Sequence, residues 1–166
     1  MPKDADTHDR AQTALTIRCA EERDVPAMAA LRSEAWGTQE YWVPRVAAYL
    51  AGRIGARDAL PESVVFVAEI GDAIVGFVAG HRTTRHGCQG ELEWINVSSS
   101  HQRRGIATQL LAAMAAWFIK QGATKVCVDV EPTNAVARAF YAKHGAVDLK
   151  PSWMVWEDIG AAIAAR

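Results

Sequence analysis

Two arginines and one glycine separate a strand-like segment from a helix-like segment in INVSSSHQRRGIATQLL, residues 95–111. The first turn of a helix exposes unpaired N–H groups and a partial positive charge, and both attract phosphate. Gly105 would let the backbone approach a phosphate closely, and Arg103 and Arg104 would add mobile positive charge. The stretch therefore predicts a pyrophosphate-binding site. The alternative is a plain turn that carries two solvated arginines.

Two common phosphate motifs do not occur in the sequence. No GxxxxGK[ST] segment is present, which excludes a P-loop. A GxGxxG dinucleotide motif needs three glycines, and this stretch has one. A different kind of phosphate site is therefore expected.

Two carboxylates precede the arginines on the same predicted strand. The two-residue period of a strand places Glu91 and Glu93 on one face, together with Ile95 and Val97. A carboxylate at this position could accept a proton from a nucleophile, directly or through water. The alternative is a pair of solvated carboxylates at the start of a strand.

A second candidate pair lies further along the chain. Asn134 and Tyr141 are seven residues apart, so two helical turns bring them to one face. A tyrosine hydroxyl can protonate a leaving group as a general acid. The alternative roles are a helix N-cap for Asn134 and packing against the sheet for Tyr141.

Hydrophobic periodicity and chain breakers indicate the elements that must position these residues. We predict strands at 15–20, 64–70, 73–80, 92–97, 125–130, 147–149 and 152–156. Helices are predicted at 25–35, 39–54, 106–120 and 134–143. Leu60-Pro61 should break the chain, and residues 82–90 should form a polar loop. This order predicts one α/β layer domain with a mixed sheet.

Composition limits the classes of function. The chain has 166 residues, enough for one domain, and its net charge of −1 argues against a broad nucleic-acid-binding surface. No segment resembles a signal peptide or approaches the roughly 20 apolar residues of a membrane helix. We predict a cytoplasmic protein that binds neither nucleic acid nor membrane. It would have a flexible leader at 1–13 and one domain at 14–166.

The three cysteines are widely spaced and form no CxxC pair, so neither a disulfide framework nor a zinc site is expected. Cys19 and Cys127 fall in strand-like runs, and we predict that both are buried as small hydrophobic residues. His81 and His86 flank the entry to the strand of the two carboxylates. Both are expected at the surface.

Two segments resemble the GNAT superfamily of acetyltransferases. VSSSHQRRGIA resembles its acyl-CoA-binding motif, in which a strand-ending Val and a short loop precede Q/R-x-x-G-x-G/A at a helix start. Gln102, Gly105 and Ala107 fill the three pattern positions. EPTNAVARAFYAKHGA is similar to the next motif, although Ala146 stands where an aromatic residue is common. The resemblance covers residues 15–158.

The resemblance implies a single-domain GNAT-like α/β fold with a central mixed, mostly antiparallel sheet and helices on both faces. Backbone amides would hold the pyrophosphate of acetyl-CoA, and its pantetheine would pair with the backbone of the preceding strand. The residues implied for cofactor binding are Ile95, Val97, Gln102, Arg103, Arg104, Gly105, Ile106, Ala107, Thr108 and Asn134.

The resemblance also implies a reaction, in which a primary amine of a small molecule or peptide attacks the thioester directly and no metal takes part. Tyr141 would protonate the departing thiolate. Glu91 stands where some members carry a catalytic glutamate and would accept the amine proton, with Glu93 or a water as alternatives.

By the same resemblance, the first two helices line the acceptor side. They carry Trp36, Glu40, Tyr41 and Trp42, an aromatic cluster with a carboxylate that would suit an amine cation or an apolar side chain. For Trp42 we favour an ordinary core position.

Two other functions fit the same residues. One is a non-catalytic acyl-CoA-binding sensor or scaffold, against which Tyr141 argues, and the other is nucleotide binding by the same loop. Homodimers are common in this superfamily, so a homodimer is among the expected oligomeric states.

Overall fold

The computed structural model describes residues 14–164, in which seven strands and five α-helices follow one another along the chain. The strands are β1 (Leu15–Cys19), β2 (Ala59–Ile70), β3 (Ala73–Thr83), β4 (Gly90–Val97), β5 (Val126–Asp129), β6 (Val147–Lys150) and β7 (Trp153–Trp156). The helices are α1 (Val25–Ala35), α2 (Gln39–Leu50), α3 (Ile106–Lys120), α4 (Ala135–Lys143) and α5 (Ala161–Ala164). The leader predicted at 1–13 lies outside the described residues.

All seven strands form one sheet in the order β1-β2-β3-β4-β5-β7-β6. Neighbouring strands are antiparallel except β4 and β5, which are parallel. The connection between these two strands is α3, as a parallel crossover requires. The predicted mixed, mostly antiparallel sheet is confirmed.

The sheet is covered on both faces by helices, as predicted. One core packs α1 and α2 against β2 and β3 and includes Met28, Trp42, Val67 and Phe77. The other packs α3 and α5 against the opposite face and includes Leu110, Phe118 and Trp156. Such burial of apolar side chains is the main favourable term in folding.

Two glycines of the sheet lie beneath α3 and leave room for its side chains. A Cβ at Gly90 would lie 2.5 Å from the Phe118 ring, and a Cβ at Gly80 would lie 2.7 Å from the Met114 sulfur. No side chain larger than hydrogen fits at either position. The glycines therefore allow the middle and the last turns of α3 to pack directly on the sheet.

The prediction that Leu60-Pro61 breaks the chain is wrong. Both residues lie inside β2. The pairing of β2 with β3 is irregular between Ala59 and Ser63, so Pro61 stands where the ladder is already interrupted. A proline lacks the N–H that a regular ladder needs and is tolerated at such a bulge. The partner strand β3 correspondingly extends to Thr83, into the segment predicted as loop.

A β-bulge at Glu93 reverses the alternation of β4. Leu92 pairs with Gly80 and Trp94 pairs with Ala79, so Glu93 has no partner on β3. As a result Leu92 packs on the α3 side, whereas Trp94 packs on the α1–α2 side. The prediction that Glu91 and Glu93 share a face with Ile95 and Val97 is wrong, because it assumed an uninterrupted two-residue period.

Burial confirms the prediction for Cys127 and contradicts those for Cys19 and His81. Cys127 is buried as predicted, but Cys19 is exposed because it lies at the end of the edge strand β1. His81 is fully buried, not at the surface, and His86 is half-buried. Within residues 14–164 no helix combines the length and apolarity that crossing a membrane would require.

Candidate active site

Strands β4 and β5 separate after a short parallel pairing. They pair at Gly90, Glu91 and Leu92, after which β4 continues to Val97 while β5 ends at Asp129. The gap between them forms a cleft of about 490 Å³. From Glu93 onward, the backbone of β4 has no strand partner on this side within the described residues. It can therefore accept an extended ligand as an additional strand.

Most of the cleft is lined by four parts of the fold. Residues of β4 face the end of β5 and the start of α4, and α1 closes the cleft from the side. The lining residues with polar side chains are Arg32, Arg85, Glu91, Glu93, Asn96, Asp129, Glu131, Asn134 and Tyr141.

The loop predicted to bind pyrophosphate follows β4 directly. Arg103 has φ of 65° and Gly105 has φ of 77°, so the chain turns through two left-handed residues before α3 begins. No side chain of the described residues caps this helix start, and the Gly105 carbonyl accepts a hydrogen bond from Gln109. The first N–H groups of α3 are therefore available to an anion.

The side chains of this loop differ in exposure. Gln102, Arg103 and Arg104 are exposed, as phosphate ligands need to be. The side chain of Ile106, the first residue of α3, is buried in the core, so this residue could contact a ligand only through its backbone. The Thr108 hydroxyl lies 3.1 Å from His144 Nε2 and is engaged within the protein.

Of the residues predicted to bind pantetheine, Ile95 and Asn134 line the cleft from opposite sides. The Asn134 side-chain oxygen accepts a hydrogen bond from the Ala137 N–H at 3.1 Å, which makes it the N-cap of α4. Its amide NH₂ group is left to donate to a ligand. Both roles considered for Asn134 are thus compatible.

Tyr141 lies on α4 and lines the cleft, although only 6% of the residue is exposed. Its ring packs against Trp156 and Phe140, with centroid distances of 5.6 and 5.5 Å. Burial raises the pKa of Tyr141, while the nearby Arg32 charge lowers it. The hydroxyl consequently stays protonated at neutral pH and can donate a proton.

Glu91 and Glu93 both line the cleft but differ in their surroundings. Glu91 is 3% exposed, and its carboxylate lies 2.9 Å from His81 Nε2 and 3.5 Å from an Arg85 nitrogen. The other imidazole nitrogen of His81 is 2.8 Å from the Tyr49 hydroxyl. Glu93 is 26% exposed and is the more accessible of the two carboxylates.

The pKa of Glu93 is raised, first by burial and then by the neighbouring Glu91 charge. A carboxylate with a raised pKa is a stronger base than a solvated one. His81, Glu91 and Glu93 also bring three ligand atoms within 4.8 Å of one another, a donor set that could hold a metal ion.

The aromatic cluster of the first two helices is formed, but arginines already lie over two of its three rings. Trp36, Tyr41 and Trp42 pack edge to face, with centroids 5.1–5.9 Å apart. The Arg32 guanidinium lies 4.3 Å from the Trp42 ring, and that of Arg45 lies 3.5 Å from Tyr41. Cations of the protein thus already lie over two of the three rings, and Trp42 is core as predicted.

Sequence reasoning missed Arg32 and Asn96 as cleft residues. The Arg32 Nη1 donates to the Asn96 side-chain oxygen at 3.2 Å, which joins α1 to β4 across the cleft. An arginine one position after the buried Leu31 could have drawn attention to this helix face. Nothing in the local pattern indicated that it reaches the same cleft as Tyr141.

A family model described as the acetyltransferase (GNAT) family matches residues 22–146. An acetyltransferase structure from Thermus thermophilus is 21% identical, covers 86% of this chain and 96% of its own, and has a TM-score of 0.67. PaiA N-acetyltransferase from Thermoplasma acidophilum, in complex with coenzyme A, is 17% identical, with coverages of 86% and 98% and a TM-score of 0.63.

YncA from Salmonella typhimurium, solved with its cofactor acetyl-CoA, is 17% identical, with coverages of 87% and 95% and a TM-score of 0.63. No curated protein matches the sequence significantly. The likeness of these structures over nearly their whole length confirms the predicted fold.

Proposed function

Because the chain belongs to the acetyltransferase (GNAT) family, we propose that it transfers the acetyl group of acetyl-CoA to a primary amine bound in the cleft between β4 and β5. The acceptor attacks the thioester directly, so the reaction needs neither a covalent enzyme intermediate nor a metal. Support comes from the relatives with coenzyme A and acetyl-CoA, which share this fold.

Coenzyme A would lie along the open edge of β4. The backbone amides at the start of α3, those of Gly105, Ile106, Ala107 and Thr108, would hold the pyrophosphate, assisted by the exposed side chains of Gln102, Arg103 and Arg104. The pantetheine amides would pair with the backbone at Ile95 and Val97, and Asn134 would donate from the opposite wall. This arrangement would direct the thioester toward Tyr141.

The amine must lose a proton before it can attack, since a free alkyl ammonium has a pKa near ~10.4. The raised pKa and the exposure of Glu93 favour this carboxylate as the direct proton acceptor. Glu91 would act beside it, since its charge helps to raise the pKa of Glu93 and its contacts hold His81 and Arg85. The predicted role of Glu91 as the base itself stays a competing assignment.

Collapse of the tetrahedral adduct then expels a thiolate. Tyr141 would protonate that sulfur, because its hydroxyl is kept in the protonated form by burial. Acid and base thus come from opposite walls of one cleft. The observation that carries the proposal is this pairing of Tyr141 and Glu93 across the gap where the sheet opens.

The test is release of free thiol from acetyl-CoA in the presence of a panel of primary amines. Amine-dependent release supports the enzyme. A rise of the melting temperature with coenzyme A but no thiol release with any amine would favour the sensor or scaffold. If ADP displaces coenzyme A at equal concentration, the loop is a general nucleotide site instead.

A further inference from the structure

Arg32 is a cation of the cleft that has no direct carboxylate partner within residues 14–164, although the lowering effect of burial on its pKa is opposed by the charge of Glu93, which raises it. Its guanidinium is half-buried and lines the cleft, and no carboxylate within residues 14–164 forms an ion pair with it at 4.0 Å or less. Its Nε is fully buried and has no hydrogen-bond partner among the described residues. Leaving such a polar group unpaired in the protein costs free energy.

The position of Arg32 is held by its neighbours. The guanidinium lies 4.3 Å from the Trp42 ring and 5.5 Å from the Trp94 ring, and one nitrogen donates to Asn96. These contacts orient the planar group before any ligand arrives. A fixed guanidinium matches the two oxygens of a carboxylate, which it binds through parallel hydrogen bonds.

The cleft also holds four carboxylates, and the one that acts on Arg32 is that of Glu93; the other three belong to Glu91, Asp129 and Glu131. Arg85 is already close to Glu91, at 3.5 Å, whereas Glu93 is left facing the cleft with a carboxylate. A simple amine cation would satisfy Glu93 and be repelled by Arg32. A molecule with an ammonium and a carboxylate a few bonds apart would satisfy both.

We infer that the acceptor is a free α-amino acid, whose carboxylate binds Arg32 and whose amine faces Glu93. This inference rests on the proposed function and names the substrate class of the same site. The cleft volume of about 490 Å³ suits the end of the pantetheine and a small acceptor. A polyamine or a decarboxylated amine lacks the anion that Arg32 requires.

The experiment compares acceptors that differ only in the carboxylate: leucine with isoamylamine, phenylalanine with phenethylamine, and lysine with cadaverine. For at least one pair, kcat/KM should be higher for the amino acid. Arg32→Gln should lower kcat/KM for that amino acid about 10- to 100-fold more than for the matched amine, because both acceptors lose the effect of the Arg32 charge on Tyr141 and Glu93 but only the amino acid loses a carboxylate partner. Arg32→Lys keeps the positive charge but cannot form two parallel hydrogen bonds, so it should recover only part of the lost kcat/KM for the amino acid.

Arg45→Gln is the matched control, because Arg45 also lies over an aromatic ring but does not line the cleft. It should behave like the parent with every acceptor. The rise of melting temperature with coenzyme A should be the same in all variants, which shows that each is folded. Equal losses for amino acid and amine in Arg32→Gln, or a parent that prefers the amine in every pair, would overturn the inference.

The two proposals fail in distinguishable ways. If no acceptor releases thiol, the proposed function fails, and the inference is judged by amino-acid binding to the protein saturated with coenzyme A. Amino acids should then raise the melting temperature of the parent but not of Arg32→Gln. No such rise in the parent would overturn the inference as well.

Discussion

The Thr108 hydroxyl lies 3.1 Å from Nε2 of His144, and Nδ1 of the same buried imidazole lies 2.8 Å from the Phe140 carbonyl. The carbonyl can only accept, so Nδ1 donates and Nε2 accepts from the hydroxyl. The first turn of α3, which follows the phosphate loop, is thus bonded to the end of the helix that carries Tyr141. One imidazole holds the two halves of the proposed site in register.

Thr108→Val should therefore destabilise the protein and leave coenzyme A bound. Loss of the donor leaves Nε2 of His144 unsatisfied, at a cost of about 1–3 kcal/mol in the free energy of unfolding measured with urea. The backbone N–H of residue 108 remains available to phosphate. Thr108→Ser keeps a hydroxyl and serves as the control. Unchanged stability together with lost coenzyme A binding would show that the hydroxyl contacts the cofactor instead.

Tyr141→Phe should lower turnover and leave acetyl-CoA affinity nearly unchanged. The ring contacts with Trp156 and Phe140 survive the substitution, and only the hydroxyl is removed. Loss of a general acid costs on the order of 10²- to 10⁴-fold in rate, with kcat and kcat/KM falling together. Thiol release and a coenzyme A titration measure the two quantities. Full activity in the variant would show that Tyr141 only packs against its neighbours and donates no proton.

The pH profile distinguishes Glu93 from Glu91 as the base. Burial raises the pKa of Glu93 above its ordinary 4.5, so kcat/KM should fall as pH drops through that raised pKa, and the acidic limb should lie above pH 4.5. Glu93→Gln should abolish most activity. It should also stabilise the protein at neutral pH, because a group whose folded pKa is raised costs stability once it ionises.

Glu91→Gln is the companion variant. It removes a charge that raises the pKa of Glu93, so the acidic limb of kcat/KM should move to lower pH. Stability should fall, since His81 and Arg85 lose their carboxylate partner. If Glu91→Gln abolishes activity while Glu93→Gln keeps the acidic limb, Glu91 is the base.

Gly105→Glu should abolish coenzyme A binding, whereas Gly105→Ala should largely preserve it. Both changes put a side chain on a residue with φ of 77°, which costs about 1–2 kcal/mol, and a Cβ there meets no atom within 4 Å. The difference between the variants therefore isolates the carboxylate placed among the phosphates. The readout is the shift of melting temperature with coenzyme A. Equal shifts of the melting temperature in both variants would show that the pyrophosphate does not bind at Gly105.

Arg103→Ala and Arg104→Ala should weaken coenzyme A binding more at low salt than at high salt. Both side chains are exposed, and the Debye length is about 8 Å at physiological ionic strength, so their attraction for phosphate is screened. Arg23→Ala, which changes an exposed arginine outside the loop, should have no effect. A loss that does not depend on salt would point to a role in loop conformation, since Arg103 has φ of 65°.

Local features were predictable from the sequence. The helix predicted at 106–120 has those bounds in the structure, because its apolar stripe, the preceding Gly105 and the following Gly122 are all contained in one segment. The N-cap role of Asn134 depends on a hydrogen bond three residues away. The two family motifs were equally readable, since each is a short contiguous run, and family membership followed from them.

The tertiary structure decided the arrangement of the charges in the cleft. The bulge at Glu93 arises from the pairing of β4 with β3, which joins residues distant in sequence, and it reverses the faces that a regular strand would give. His81 is buried because Tyr49 and Glu91 reach it from two other elements. Arg32 enters the cleft only when α1 packs beside β4. Such contacts depend on the energy of the whole assembled sheet, so no local pattern of residues encodes them.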